Sequence, residues 1–210
     1  MDRSRFPTLL GLSLLLVLFS CHLLVAQKAS VPNPPPDYKL LTAMSLCGDV
    51  ECLNAYRQQA GSTKLGRIVY YEKWILLEPS KTAAEGLLHN IPVSEAEQSQ
   101  MMTLPDWHQD ATKSTKDMES LAQIYEHWPH SLANAVMMFP QYLPAYIRYG
   151  LLAPNDVHSD YTGNEERVCR NDPAQFQAAF ERLDGKTQAH LRKHVFNPEK
   201  CRAIFITEAD

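Results

Sequence analysis

The chain has 210 residues and a formal net charge of −4 at pH 7. This length is sufficient for one domain with a sizeable hydrophobic core. A nucleic-acid partner would need a basic surface, but the longest run of Lys and Arg is Arg192-Lys193, so the composition argues against such a partner.

The N-terminus has the pattern of an export signal. Arg3 and Arg5 precede a nearly unbroken apolar run over Leu9–Ala26, which matches the basic and apolar regions of a signal peptide. We therefore expect residues 1–26 to be a signal peptide. The mature chain is then expected to fold outside the cytosol, secreted or in a periplasm at the cell envelope.

Two other fates of this segment stay open. The sequence Leu18-Phe19-Ser20-Cys21 resembles a bacterial lipobox, and a lipoprotein signal ending before Cys21 would leave a lipid anchor on that cysteine. Retention as a single membrane anchor is the third option, because Thr8–Ala26 just reaches the roughly 17–25 residues that span a bilayer. Contact with a membrane is expected only through this segment or through lipid on Cys21.

A proline-rich stretch follows the signal. Residues 27–37 contain four prolines, which lack a backbone donor and favour an extended conformation. We interpret this stretch as a tether and residues 38–210 as a single helical domain.

The first half of this domain is predicted to be helical, with one ambiguous segment. Apolar residues recur over Tyr38–Arg57 around the first two cysteines. Leu65–Leu77 fits either a buried helix or a strand, and its β-branched and aromatic residues favour minor strand content at 67–72. Ser80 and Ser94 then mark two helix starts, the second as a capping box.

The second half begins with an amphipathic pattern. Ser114 is predicted to start a helix whose apolar stripe extends to Trp128. Pro129 is predicted to start a second, long apolar segment. Pro140 and Pro144 should break or kink that segment, because each removes a backbone donor and clashes with the preceding turn.

The C-terminal part has a clear helix start and an ambiguous end. Asp172 followed by Pro173 is typical of an N-cap and first helical residue. Residues 203–207 fit a helix end or a short strand. Few runs alternate with period two, and no Asn-Gly or Asp-Gly turn joins two strand-like runs, so the chain is predicted to be an all-α helical bundle.

Four cysteines remain after the signal, and an even number in an oxidising compartment indicates two disulfides. Three pairings exist. We favour Cys47 with Cys52, and Cys169 with Cys201, because the first pair is local. A turn between the first two cysteines, leading into a helix, would let them meet.

Two segments share the pattern Asp-x-His-x-Asp: Asp106-Trp107-His108-Gln109-Asp110 and Asp156-Val157-His158-Ser159-Asp160. In loops, these oxygen and imidazole donors can point the same way and bind Zn²⁺ or a harder cation, or act as general acid and base. In the competing interpretation, which we favour, the first aspartates are caps and the histidines are surface or packing residues.

Two histidine pairs and one polar segment are weaker candidates. His127 and His130 flank an aromatic residue, and core packing with solvated histidines is the favoured interpretation. His190 and His194 have the spacing of a two-histidine metal site on a helix, but a basic helix end explains them better. Asp160–Glu166 is predicted to be a polar loop, and such loops often carry binding residues.

No motif indicates a particular enzyme. A Gly-rich phosphate loop, a Gly-x-Ser-x-Gly elbow, His-Glu-x-x-His and Cys-x-x-Cys are all absent from the sequence. We therefore expect an exported helical protein that binds another protein and needs no cofactor. The alternative is a metal-dependent or acid/base hydrolase that uses His108 and His158 with their flanking aspartates.

Overall fold

Helices dominate the structure, a computed structural model that describes the backbone of residues 37–106, 115–152, 158–194 and 201. The side chains of residues 103–106, 115, 118, 158–162, 193 and 194 are outside this description. The described residues form eleven α-helices, one 3₁₀-helix and no strand, which confirms the predicted all-α class. Residues 203–207, where strand content was a second option, lie outside the described residues.

The helices follow one another with short connections. The α-helices are α1 (Tyr38–Ser45), α2 (Val50–Asn54), α3 (Arg57–Ala60), α4 (Lys64–Leu77), α5 (Lys81–Leu88), α6 (Glu95–Asp106), α7 (Thr115–Met138), α8 (Leu143–Tyr149), α9 (His158–Asn171), α10 (Pro173–Glu181) and α11 (Gly185–His194). The 3₁₀-helix, Pro140–Tyr142, directly precedes α8.

Helix starts follow the capping side chains that the sequence predicts. Ser80 and Asp172 each accept a hydrogen bond from the backbone N–H three residues later, at 3.2 Å and 2.9 Å. Ser94 accepts from the N–H of Glu97 at 3.3 Å, and the Glu97 carboxylate accepts from the N–H of Val93 at 2.8 Å. Each bond satisfies a backbone N–H in the first helical turn or just before it, because no carbonyl of the helix can accept from that N–H.

Helix α4 occupies the segment for which the sequence favours strand content at 67–72. Thr63 caps it by accepting from the N–H of Gly66 at 3.0 Å. Ile68, Val69 and Tyr70 are buried where α1, α3, α5 and α7 pack around the helix. The strand prediction is wrong because this packing outweighs the modest β preference of the three residues.

Helix α7 continues through Pro129, where the sequence predicts a new segment. One buried apolar stripe extends across the proline: Leu121, Ile124, Trp128 and Leu132. The predicted boundary is wrong because burial of this stripe outweighs the loss of one backbone hydrogen bond. The break predicted at Pro140 is confirmed, since α7 ends at Met138 and Pro140 begins the 3₁₀-helix. Pro144 breaks no helix, because it lies in the first turn of α8, where a proline is tolerated.

Helix α7 lies at the centre of the domain. It packs against α1, α4, α5, α6, α8 and α9. The largest fully buried side chains include Trp128 on α7, Tyr146 on α8 and two phenylalanines, Phe176 and Phe180, on α10. Within the described part of the chain, no helix combines the length and apolar character needed to cross a bilayer.

Both predicted disulfides are present. Cys47–Cys52 joins the end of α1 to α2 across a turn at Gly48-Asp49, with the two Cα atoms 5.6 Å apart. Cys169–Cys201 joins α9 to the C-terminal segment, with the two Cα atoms 6.1 Å apart. Both separations fall within the range that a disulfide can bridge.

The two disulfides should differ in their contribution to stability. Cys169–Cys201 spans 32 residues and Cys47–Cys52 spans 5. In the chain-entropy model, replacing Cys169 and Cys201 by alanine should lower the free energy of unfolding by about 4 kcal/mol. Replacing Cys47 and Cys52 by alanine should lower it by about 2 kcal/mol. Urea unfolding of the two double variants checks this order. A larger loss from the local pair would contradict it.

Two helical glycines should respond oppositely to alanine. A Cβ built on Gly86 of α5 would overlap the ring of Tyr71, whereas a Cβ on Gly163 of α9 meets nothing within 4 Å. We expect Gly86→Ala to destabilise the domain by about 1–3 kcal/mol through overpacking. The matched control Gly163→Ala should stabilise it by about 0.5–1 kcal/mol through better helix propensity. Thermal or urea unfolding distinguishes the signs, and a stabilising Gly86→Ala would refute the packing argument.

Candidate functional site

The Asp-x-His-x-Asp residues are divided between helix ends and undescribed segments. His108, Asp110 and Asp156 lie outside the described residues. Asp106 is the last residue of α6, and His158 and Asp160 lie in the first turn of α9. The loop prediction is therefore wrong for His158 and Asp160, and residues two apart on a helix do not point the same way. Whether His108 and His158 share a pocket stays a prediction.

The second predicted metal pair lies on one helix. Both His190 and His194 belong to α11, four residues apart as predicted, and the His190 side chain is exposed. Among the described residues, no three His, Cys, Asp or Glu side chains are grouped closely enough to hold a metal ion. Metal binding by this pair therefore stays a prediction.

The histidines beside Trp128 agree with the core-packing interpretation. Trp128 is 2% exposed, and its indole N–H donates to the hydroxyl of Tyr149 at 3.1 Å. His127 and His130 are exposed, and a ring nitrogen of His130 lies 2.9 Å from the side-chain oxygen of Asn164. The aromatic residue thus serves the core, and one histidine joins α7 to α9.

The predicted polar loop at Asp160–Glu166 is helical and partly buried. It forms the first half of α9, and its residues Asn164 and Glu165 are 4% and 0% exposed. The loop prediction is wrong because α9 packs against α7 and brings this face of the segment into the interior. Buried polar side chains in this region form the candidate site.

A group of buried polar residues links four helices. We call it the tyrosine–glutamate cluster and define it as Gln98, Trp128, Tyr146, Tyr149 and Glu165. Tyr149 accepts from Trp128, and its hydroxyl also hydrogen-bonds the side chain of Gln98. Burial raises the pKa of Tyr149 to about 12. Burial, and then the charge of Glu165, raises the pKa of Tyr146.

Glu165 is the least compensated member of this cluster. It is fully buried, and neither of its carboxyl oxygens has a hydrogen-bond partner among the residues that the structure describes. Burial, followed by the charge of Glu166, raises the pKa of Glu165 well above its ordinary value. The ion pairs among the described residues are Lys64–Glu97 and Arg170–Glu166, so neither involves Glu165.

A second buried glutamate, Glu72 on α4, contacts α7. The hydroxyl of Ser131 donates to one carboxyl oxygen of Glu72 at 2.6 Å, and the other oxygen has no hydrogen-bond partner. Burial raises the pKa of Glu72 to about 8, although the Ser131 hydrogen bond opposes this shift. A carboxyl group in such surroundings is more stable when protonated, because burial penalises the charged form.

The chemistry available to these glutamates is proton binding. Neither residue lines the grooves of the described surface. One groove, of about 340 Å³, lies between α1 and the α3–α4 turn and is lined by Asp37, Leu40, Leu41, Gln59, Ser62, Thr63 and Leu65. The other, of about 320 Å³, lies between the 3₁₀-helix and α10 and is lined by Pro140, Gln141, Leu143, Pro144, Gln175, Ala178, Ala179 and Arg182.

Sequence reasoning missed both buried glutamates, although helical spacing contains the signal. Glu72 follows Leu65, Ile68 and Val69 at positions that share one helix face. Glu165 precedes Val168 and Cys169 in the same way. This helical spacing is hard to recognise in the sequence, because residues 67–72 also fit a strand and Asp160–Glu166 also fit a polar loop.

Comparison of the chain with protein-family models, with curated proteins and with solved structures gives no match.

The buried glutamates should make the domain less stable as pH rises. The folded pKa of Glu72, about 8, exceeds the ordinary value of 4.5 for a free glutamate, so the folded state holds this proton more tightly. The contribution of Glu72 to the free energy of unfolding is therefore largest below about pH 4.5 and falls as pH rises towards about 8, by up to about 1.4 kcal/mol per pH unit.

Two variants separate Glu72 from other titrating groups. Glu72→Gln should remove its share of the pH dependence, whereas Glu78→Gln, an exposed position just after the same helix, should leave it unchanged. Urea unfolding across this pH range measures both slopes. Identical slopes in the wild-type protein and Glu72→Gln would contradict the assignment.

Proposed function

We propose that the chain is an exported helical protein that works outside the cytosol by binding another protein. The observation that carries this proposal is the presence of both disulfides, Cys47–Cys52 and Cys169–Cys201. Disulfides form and persist in oxidising compartments and are rare in the cytosol. The basic and apolar N-terminal segment supports the same location.

The groove between the 3₁₀-helix and α10 supports a binding role. We call it the proline groove, because Pro140 and Pro144 form one wall, and prolines fix the local backbone. Ala178 forms part of the opposite wall, while Gln175 and Arg182 supply polar groups there. An apolar surface with a few polar groups suits recognition of a partner protein's side chains.

The export proposal makes a direct prediction about the N-terminus. Mass spectrometry of the mature protein should find residues 1–26 removed, or should find lipid on Cys21. Thiol titration under native conditions should find the four remaining cysteines oxidised. An intact N-terminus on a reduced protein in the cytosol would refute export.

The binding proposal can be tested on the proline groove with two matched variants. Ala178 and Ala174 are both exposed on α10, but only Ala178 lines the groove. Ala178→Arg should fill the proline groove and abolish the complex that the wild-type protein forms with its partner at native concentration. Ala174→Arg should retain this complex. Size-exclusion chromatography with light scattering, after mild cross-linking of the exported fraction, measures the complex. A wild-type protein found only as a monomer, or a complex that survives Ala178→Arg, would contradict the proposal.

A further inference from the structure

Helix α9 has one polar residue on its buried face that is satisfied and one that is not. The side-chain oxygen of Asn164 lies 2.9 Å from a ring nitrogen of His130 and accepts from Arg167 at 3.0 Å. The neighbouring Glu165 is 0% exposed, and both its carboxyl oxygens are buried without a hydrogen-bond partner. The helix is therefore docked with an uncompensated acid in its interface.

No cation compensates Glu165 within the described residues. On its own helix, Glu166 pairs with Arg170, and Arg167 donates to Asn134 at 2.9 Å and to Asn164. Across the interface, α8 contributes Tyr146 and Tyr149, and α7 contributes His130 and the exposed His127. Helix α10 carries two acidic residues, Asp172 at its N-cap and Glu181, and both are exposed. These surroundings would oppose a negative charge on Glu165, because no positive group pairs with it.

The consequence depends on the protonation state of the carboxyl group. A neutral acid can remain in the interface at a modest cost, whereas an ionised one loses its hydration and gains no partner. Moving the part of α9 up to and including Glu165 outwards would return the carboxylate to water. The next turn is held in place, because Val168 and Cys169 are buried and Cys169 is bonded to the buried Cys201.

We propose that Glu165 is a proton-dependent latch for α9: when protonated it lets the helix dock against α7, and its ionisation releases the part of the helix up to and including Glu165. The disulfide at Cys169 keeps the released segment attached to the core. Release would break the contact between Asn164 of α9 and His130 of α7.

Hydrogen exchange of the full, oxidised protein tests the latch locally. Once exchange is corrected for the intrinsic effect of pH, the opening equilibrium of the α9 amides should rise by up to about tenfold per pH unit, which is the signature of one released proton. The rise should occur at a pH above the ordinary titration range of exposed glutamates. Opening of α9 that does not change between about pH 5 and about pH 9 would overturn the proposal.

Four variants make the test specific to this residue. Glu165→Gln should make α9 protection independent of pH. Glu165→Leu provides a second test if the buried amide prevents folding, because leucine needs no hydrogen-bond partner and should give the same result. Glu166→Gln, at the partly exposed neighbour, should retain the rise but end it at a lower pH, because the charge of Glu166 helps to raise the pKa of Glu165. Glu72→Gln, at the other buried glutamate, should retain the wild-type pH dependence in α9. A pH dependence that persists in Glu165→Leu, or disappears in Glu72→Gln, would assign the effect to another group and overturn the latch.

Discussion

Burial of α7 by six other helices is the constraint on which the rest of the structure depends. The buried face of such a helix must be mostly apolar, and each polar group on that face needs a partner. The buried stripe that includes Trp128 keeps the helix continuous through Pro129. The indole N–H of Trp128 is paired with Tyr149, and the hydroxyl of Ser131 is paired with Glu72.

The buried donors of Trp128 and Ser131 on α7 each have an acceptor, but some buried acceptors nearby have no donor. In the described part of the chain, the buried carboxyl and amide oxygens without a hydrogen-bond partner belong to Glu72, Gln98 and Glu165. Protonation is the available remedy for the two acids, because it removes the charge that burial penalises. Protonation therefore removes the buried negative charge in this core, as a lysine or arginine partner compensates it in a buried ion pair. As a result, acidity favours the folded state over the range in which free glutamates ionise.

The disulfides add covalent links to this packing. Cys47–Cys52 closes a turn between two short helices, and Cys169–Cys201 fastens the C-terminal segment to α9. Helix α9 is thus held by a covalent bond near its end and by an interface containing an uncompensated acid in its middle. The latch that we propose depends on this combination of a covalent disulfide and a proton-dependent interface. The disulfide persists in an oxidising environment outside the cytosol.

The sequence by itself determined the helix starts at Ser80, Ser94 and Asp172, the all-α class and the pairing of the cysteines, because capping, periodicity and local spacing act over a few residues. Only the tertiary structure decided that residues 67–72 are helical, that α7 passes through Pro129, and that Glu72 and Glu165 are buried. In each of these cases the deciding energy comes from neighbours distant in sequence: packing outweighs an intrinsic preference, and a polar residue becomes buried when another helix covers it.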